Sequence, residues 1–181
     1  HTRCLSDWSS DVCSSDLQFS KILNNTNNLG IKITFLEQPK PGGLPEAFII
    51  GENFINKNNV ALILGDNFFY GQSLTKKLRN CTKLKKGAKV FLHPVKNPSL
   101  YGVATLNKNK IIRIIEKPKE TNSNLAVTGL YFFDNNIIKY SKSLKPSKRG
   151  ELEITDLLNI YLRSEEHTSE LQSLRHLVCR L

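Results

Sequence analysis

The apolar run Val60–Leu64, V-A-L-I-L, limits the possible folds more than any other stretch of this chain. Five apolar residues in succession suit a strand covered on both faces. A half-exposed strand would alternate apolar with polar residues. The run then ends on Gly65-Asp66-Asn67. A buried strand that finishes on an acid and an amide delivers polar groups to the edge of a sheet, where α/β folds bind their ligands. G-D-N is also ordinary turn chemistry, and these residues alone leave both readings open.

The flanking periodicities build a layered domain around that strand. Ile31–Leu36 alternates with β-branched residues and predicts a strand. Leu44–Phe54 aligns Leu44, Ala47, Phe48, Gly51 and Phe54 on one helical stripe, with Pro45 at a start that tolerates proline. Ser73–Cys81 predicts a helix, and Lys89–Leu92 and Gly102–Leu106 predict strands. Ile111–Ile115 follows the turn N-K-N-K and makes a hairpin with the preceding strand. Ala126–Phe133 is a further strand, and Asn135–Leu144 and Ile154–Leu162 are helices. Alternating strands and helices followed by a run of strands predict an α/β fold. Its sheet is expected to be mixed and mostly parallel, with helices on both faces and one antiparallel excursion.

The two ends read differently. R-S-E-E-H-T-S-E-L-Q-S (Arg163–Ser173) and D-W-S-S-D-V-C-S-S-D-L (Asp7–Leu17) are translations of the two strands of one oligonucleotide, which resembles a sequencing-library adapter. Residues 1–17 and 163–181 are therefore expected to be non-native tails, leaving 18–162 as a partial domain. Setting them aside removes four Lys/Arg and six Asp/Glu, which leaves 22 bases, 10 acids and a net charge of +12. Only Cys81 and His93 remain of their types, so neither a disulfide framework nor a Cys/His metal cage is available. No apolar run approaches the roughly 20 residues of a membrane span. With no visible signal peptide, the expected location is the cytoplasm. The basic balance attracts anions, phosphates included.

Several short segments could carry chemistry. Asp66 could hold Mg²⁺, which takes oxygen ligands and shares them with substrate phosphates; Asn67 could bond a sugar or the water of a metal. In Gln38–Leu44, Q-P-K-P-G-G-L, Gln38 offers a donor and an acceptor together, and Gly43 permits close approach to a flat ligand. At Glu116-Lys117-Pro118 the carboxylate can accept sugar hydroxyls and the ammonium can pair with phosphate. Gly129, inside the strand Ala126–Phe133, suggests a bulge or a close approach. Glu151, Glu153 and Asp156 read as capping residues of the last helix. There is no GxSxG and no Walker loop, and a Ser-His-Asp triad would have only His93 to use.

In order, these segments resemble the sugar-1-phosphate nucleotidylyltransferases. The motifs are Q-P-x-P-x-G-L at Gln38–Leu44, A-L-I-L-G-D-N-F-F-Y-G at Ala61–Gly71, Y-G-V at Tyr101–Val103, E-K-P at Glu116–Pro118, A-V-T-G-L-Y-F at Ala126–Phe132 and R-G-E-L-E-I-T-D at Arg149–Asp156. The second and last point to the thymidylyl branch. The resemblance implies a Rossmann-like nucleotidyltransferase fold, with dTTP and glucose 1-phosphate as substrates and dTDP-glucose and pyrophosphate as products. It implies that Gln38 and Gly43 contact the thymine and that Asp66 binds the catalytic Mg²⁺ with Asn67 in the same site. Tyr101, Gly102, Glu116, Lys117 and Val127 would line the sugar-phosphate pocket, with Asp66 and Lys117 as the catalytic pair. The parent enzyme would be a cytoplasmic homo-oligomer, a tetramer, with no nucleic-acid or membrane partner.

The sequence departs from that pattern in places. The opening glycine-rich loop G-G-x-G-T-R-L, a following Lys segment and the downstream W-x-D-T-G, whose Asp is a second metal ligand, are missing. Pro45-Glu46 stands where many members carry Ala-Gln or Ala-Glu. The 181-residue chain is therefore expected to be inactive on its own. Pyrophosphate release from dTTP and glucose 1-phosphate would refute this. The competing readings are a uridylyltransferase or other relative of the same superfamily, a basic nucleic-acid-binding module, and a non-catalytic regulatory homologue.

Overall fold

The nine-residue strand Leu125–Phe133 organises the sheet, because its two edges carry three other strands. The computed structural model describes residues 33–108 and 110–164, together with the backbone of 2–7 and 178–180. In chain order the elements are β1 (Thr2–Asp7), α1 (Glu46–Ile50), α2 (Glu52–Ile55), β2 (Asn59–Leu64), β3 (Phe68–Tyr70), α3 (Leu74–Thr82) and β4 (Ala88–Pro94). A single 3₁₀ turn at Pro98–Leu100 precedes β5 (Gly102–Asn107), β6 (Lys110–Glu116), β7 (Leu125–Phe133), α4 (Ile137–Ser143), α5 (Ile154–Arg163) and β8 (Val178–Arg180).

Along one edge of β7 runs β4. Along the other edge β2 pairs with residues 130–133 and β5 pairs at Ala126. Two strands thus share one edge, and a gap opens between them at Val127–Gly129. The sheet order is β1-β2-β7-β5-β6, with β4 beside β7. Only β1 and β2 pair in parallel; β2, β4 and β5 are each antiparallel to β7, and β5 to β6. The expectation of a mostly parallel sheet is corrected in this respect. β1, β2, β4 and β5 do share one direction, but the oppositely directed β7 lies between them and converts their pairings to antiparallel.

Alternation along the strands divides the core into two layers, one per face. Val60, Leu62, Val90, Leu92, Tyr131 and Phe133 face a cluster with Phe48 of α1, Ile137 of α4 and Leu157, Leu158 and Tyr161 of α5. Ala61, Phe91, Leu130 and Phe132 face the opposite way, with Cys81, Leu74 and Leu78 of α3. Helices therefore cover both faces, which is why β2 is an unbroken apolar run. Phe133 meets Phe48 edge-on at 5.3 Å and Tyr161 at 5.5 Å between ring centroids. Asn159 of α5 closes the outer strand β6 from above: its amide donates to the Ile114 carbonyl at 2.7 Å and accepts from the Ile114 N–H at 3.2 Å.

Asp134, directly after β7, ties three elements together. Its buried carboxylate accepts from Gly87 N–H at 2.7 Å, Asn136 N–H at 3.0 Å and the Tyr161 hydroxyl at 3.0 Å. Burial, with Asp134 alongside, pushes the Tyr161 phenol well above its ordinary range. The Ser141 hydroxyl in α4 is buried without a partner. Ser141→Ala is expected to stabilise the chain by about 1 kcal/mol, since it removes an unpaired polar atom and improves helix propensity. Thermal melting checks this, and a lowered melting temperature would count against it.

Local departures from the sequence expectations have physical causes. The helix over Leu44–Phe54 is two short helices, broken at Gly51. Of the strand over Ile31–Leu36, Ile31 and Lys32 lie outside the described residues. Ile33–Leu36 is not a strand; β1 occupies the outer edge of β2, and Phe35 and Leu36 stay about half exposed. β1 and β8 lie in the segments expected to stand outside the fold, and α5 ends on Arg163, one residue past the expected boundary. The hairpin forms as expected, with Lys108 at φ 45° in its turn.

Candidate active site

The gap on the edge of β7 is filled by a side chain. Asn67, just past the end of β2, accepts the Gly129 N–H through Oδ1 at 3.0 Å, and its amide donates to Asp66 Oδ1 at 2.7 Å. Asn67 therefore continues the ladder where β2 stops and holds the exposed Asp66 carboxylate at the mouth of the gap. Any side chain at Gly129 would force its neighbours to move. A Cβ would stand 2.7 Å from Leu64 Cδ1 and 2.8 Å from Asn67 Cγ. Beside it, β7 bulges: the register shifts between Val90 and Leu92, and Thr128 donates to the Phe91 carbonyl at 3.0 Å. The bulge or close approach expected at Gly129 is both.

Across the gap, β5 and β6 deliver a second carboxylate. Gly102 pairs with Glu116, and Val103 pairs with both Ile115 and Ala126. Continuing that register places Glu116, Gly102 and Val127 in one row across β6, β5 and β7. Lys117 N–H donates to the Tyr101 carbonyl at 3.0 Å. Lys117 adopts φ 40°, a left-handed conformation that costs energy for a residue with a side chain. A Cβ on Gly102 would stand 2.7 Å from Thr155 Cγ2 and 3.3 Å from the Glu116 carboxylate, so the strand start must be bare. Burial first, and then the Asp66 and Glu116 charges, make the Tyr131 phenol harder to ionise. Both carboxylates thus act on one buried ring beneath the gap.

The Glu116 carboxyl itself is raised above its ordinary value. Burial is the main cause and Glu153 the next; Lys117, Arg149 and a Thr155 hydroxyl bond oppose them. An acid with a raised folded pKa holds its proton longer folded than unfolded. Its contribution to stability therefore falls as pH rises from about 4.5, the unfolded value, through the folded one. Glu116→Gln is expected to flatten that fall and to melt higher than the parent at pH 7. Melting curves from pH 4 to pH 8 test this, and a glutamine variant that melts lower at pH 7 would contradict it.

Sequence reasoning missed Arg149. Its guanidinium, about half exposed, takes Glu153 through Nη2 at 3.0 and 3.1 Å and through Nε at 3.3 Å. The Arg149 charge reaches Glu116, and both line a groove of about 480 Å³ with Arg113, Glu153, Thr155 and Asn159. The capping role expected of Glu153 is corrected: it occupies the N-cap of α5 but makes no side-chain cap bond. The i,i+4 spacing of Arg149 and Glu153 was the available signal. Glu151 approaches Arg149 at 3.5 Å, and Asp156 lies in the first turn of α5.

Gln38 and Gly43 stand apart from the carboxylates. Gln38 donates to Glu46 at 2.6 Å and bonds neither Asp66 nor Glu116. Gly43, at φ 93°, packs against the backbone of Leu152, whose N–H donates to the Gly42 carbonyl at 2.8 Å. The Q-P-K-P-G-G-L loop is therefore docked on the Arg149–Glu153 segment.

Comparison with known proteins gives the family. A family model described as nucleotidyl transferase matches residues 14–175. The chain belongs to the nucleotidyl transferase family. The chain is 50% identical over 145 residues to glucose-1-phosphate thymidylyltransferase of Neisseria meningitidis serogroup A, covering 80% of this chain and 50% of the relative. It is 43% identical to the Mycobacterium tuberculosis protein of the same name, with the same coverage. The chain spans about half the length of the curated relatives it matches. A Bacillus anthracis structure, assigned as a glucose-1-phosphate thymidylyltransferase and bound to sucrose, superposes with a TM-score of 0.73 at 38% identity. It covers 88% of this chain and 63% of that one. UDP-glucose pyrophosphorylase shares the fold at a TM-score of 0.68 and 23% identity. No helix among the described residues is long and apolar enough to cross a membrane.

Proposed function

We propose that this chain carries the sugar-phosphate half of a glucose-1-phosphate thymidylyltransferase site. The reading is carried by the Asn67–Gly129 bond, with Asp66 held by the same side chain, and is supported by the Lys117 and Arg149 charges that act on Glu116. The names of relatives up to 50% identical support the substrate assignment. In the reaction, an oxygen of glucose 1-phosphate attacks the α-phosphorus of dTTP. The bond from that phosphorus to the bridging oxygen breaks, and pyrophosphate leaves. Two anions must meet, so charge neutralisation and positioning carry the catalysis. Lys117 and Arg149 supply cations at the gap; Asn67, Tyr101, Gly102, Glu116 and Val127 shape the sugar pocket; Gln38 and Gly43 take the base.

The residues fit a divalent cation bound chiefly by substrate. Among the described residues no group of three or more metal-ligating side chains exists. Mg²⁺ accepts one or two carboxylates and completes its shell with phosphates and water. Asp66 would hold it, and it would neutralise phosphate charge. The same proposal makes 18–162 a native, partial domain and the parent enzyme a cytoplasmic homo-oligomer acting on dTTP rather than on nucleic acid.

Calorimetric titration of the chain with dTDP-glucose and UDP-glucose, each with Mg²⁺, tests the assignment. Preferential binding of dTDP-glucose is expected. Equal or tighter binding of UDP-glucose would favour the uridylyl reading.

A further inference from the structure

We propose that Glu153 is the positioning residue of the Arg149 guanidinium, clamping the Nε–Nη2 edge so that Nη1 is left for the phosphate of the sugar substrate. The inference rests on the sugar-phosphate reading of the site. Arginine carries five N–H donors in a planar fork. Here Nε and Nη2 are bound by Glu153, and Nη2 also meets Glu151. Nη1 bonds nothing among the described residues, so the Nε–Nη2 edge is occupied and Nη1 is the nitrogen left for a ligand.

The clamp is itself built in. The Glu153 side chain is only 12% exposed, although it occupies a helix N-cap, a position usually open to solvent. Its carboxylate ignores the helix and accepts the Ser147 hydroxyl at 2.8 Å. The same hydroxyl accepts the Arg149 N–H at 3.2 Å, which closes a ring of Ser147, Arg149 and Glu153. Gly150, at φ 81°, makes the turn that brings the ring together, and Gly150 N–H donates to the Ser147 carbonyl at 2.9 Å. The outer side of the segment is fixed by Leu152 on Gly42. A guanidinium held this way loses little freedom when an anion arrives, and that is how a pre-organised arginine gains over a mobile cation.

The test is a double-mutant cycle read by calorimetric titration of glucose 1-phosphate into the full chain, Glu153→Gln, Arg149→Ala and the double variant. Glu153→Gln is expected to weaken binding about tenfold, and the double variant to bind no more weakly than Arg149→Ala, since residues acting as a unit are not additive. Losses that multiply in the double variant, or a Glu153→Gln chain that binds like the parent, overturn the positioning role. A parent chain that does not bind glucose 1-phosphate overturns the site reading instead, and this proposal with it. A ligand-free arm separates the two. The NMR signal of the Arg149 Nε–H should be slowly exchanging in the parent and lost in both Glu153→Gln and Glu153→Asp. Its persistence in either refutes the clamp.

Discussion

Replacing Asp134 by alanine is expected to lower the melting temperature by about 10 °C or more, a shift that follows from losing roughly 3 kcal/mol or more in a chain of this size. The carboxylate is buried and accepts from the Gly87 N–H at the head of β4, the Asn136 N–H and side-chain amide at the head of α4, and the Tyr161 hydroxyl on α5. Alanine removes the acceptor and leaves the donors in place. Each orphaned buried donor costs about 1–3 kcal/mol, more than the net gain from a satisfied pair. Tyr161→Phe separates the contributions. It deletes one bond together with its donor and is expected to cost only about 1 kcal/mol. An Asp134→Ala chain that melts within a degree or two of the parent would show that the three elements are held by apolar packing alone.

Gly129→Val should damage stability and ligand binding together. The new side chain enters a space already filled by Leu64 and the Asn67 carboxamide. Overpacking of this kind costs typically about 1–3 kcal/mol. Relief would come by moving Leu64 or Asn67, and moving Asn67 breaks both its bond to Gly129 and its hold on Asp66. The two losses can be separated. In Gly129→Val/Leu64→Ala the added room should restore part of the stability, a coupling expected of residues in contact. Binding of dTDP-glucose should stay impaired, because the carboxamide is still displaced. If the double variant regains stability and affinity in parallel, Gly129 acts through the general fold and not through Asn67.

Much of this was legible in the chain because it depends on burial. V-A-L-I-L at Val60–Leu64 lies where both faces of the sheet are covered, and the two core layers follow from its alternation. The bulge at Gly129 follows from a bare residue inside an apolar strand. Pairing direction was not legible, since β7 reads as apolar whichever way it runs, and only the tertiary fold sets it between β2 and β4. The break at Gly51 was missed because its position on the apolar stripe masked its weakness as a helix former. Arg149 and Asp134 were missed for a different reason. Asp134 acts through Gly87 and Tyr161, which are distant in sequence, and the charge of Arg149 reaches Glu116 although its bonds to Glu153 are local. The neighbourhood of a single residue does not announce such contacts.

The central claim is that a sugar nucleotide binds over the Asn67-filled gap between β2 and β5 along β7. Titrating dTDP-glucose and Mg²⁺ into the chain, with backbone amide shifts followed by NMR, tests it most directly. The account predicts that the largest shifts cluster at Asn67, Gly102, Glu116, Lys117, Gly129 and Arg149. Shifts concentrated at the smaller hollow of about 260 Å³ by His93, Lys96 and Asn97, with Gly129 and Glu116 unmoved, would contradict it.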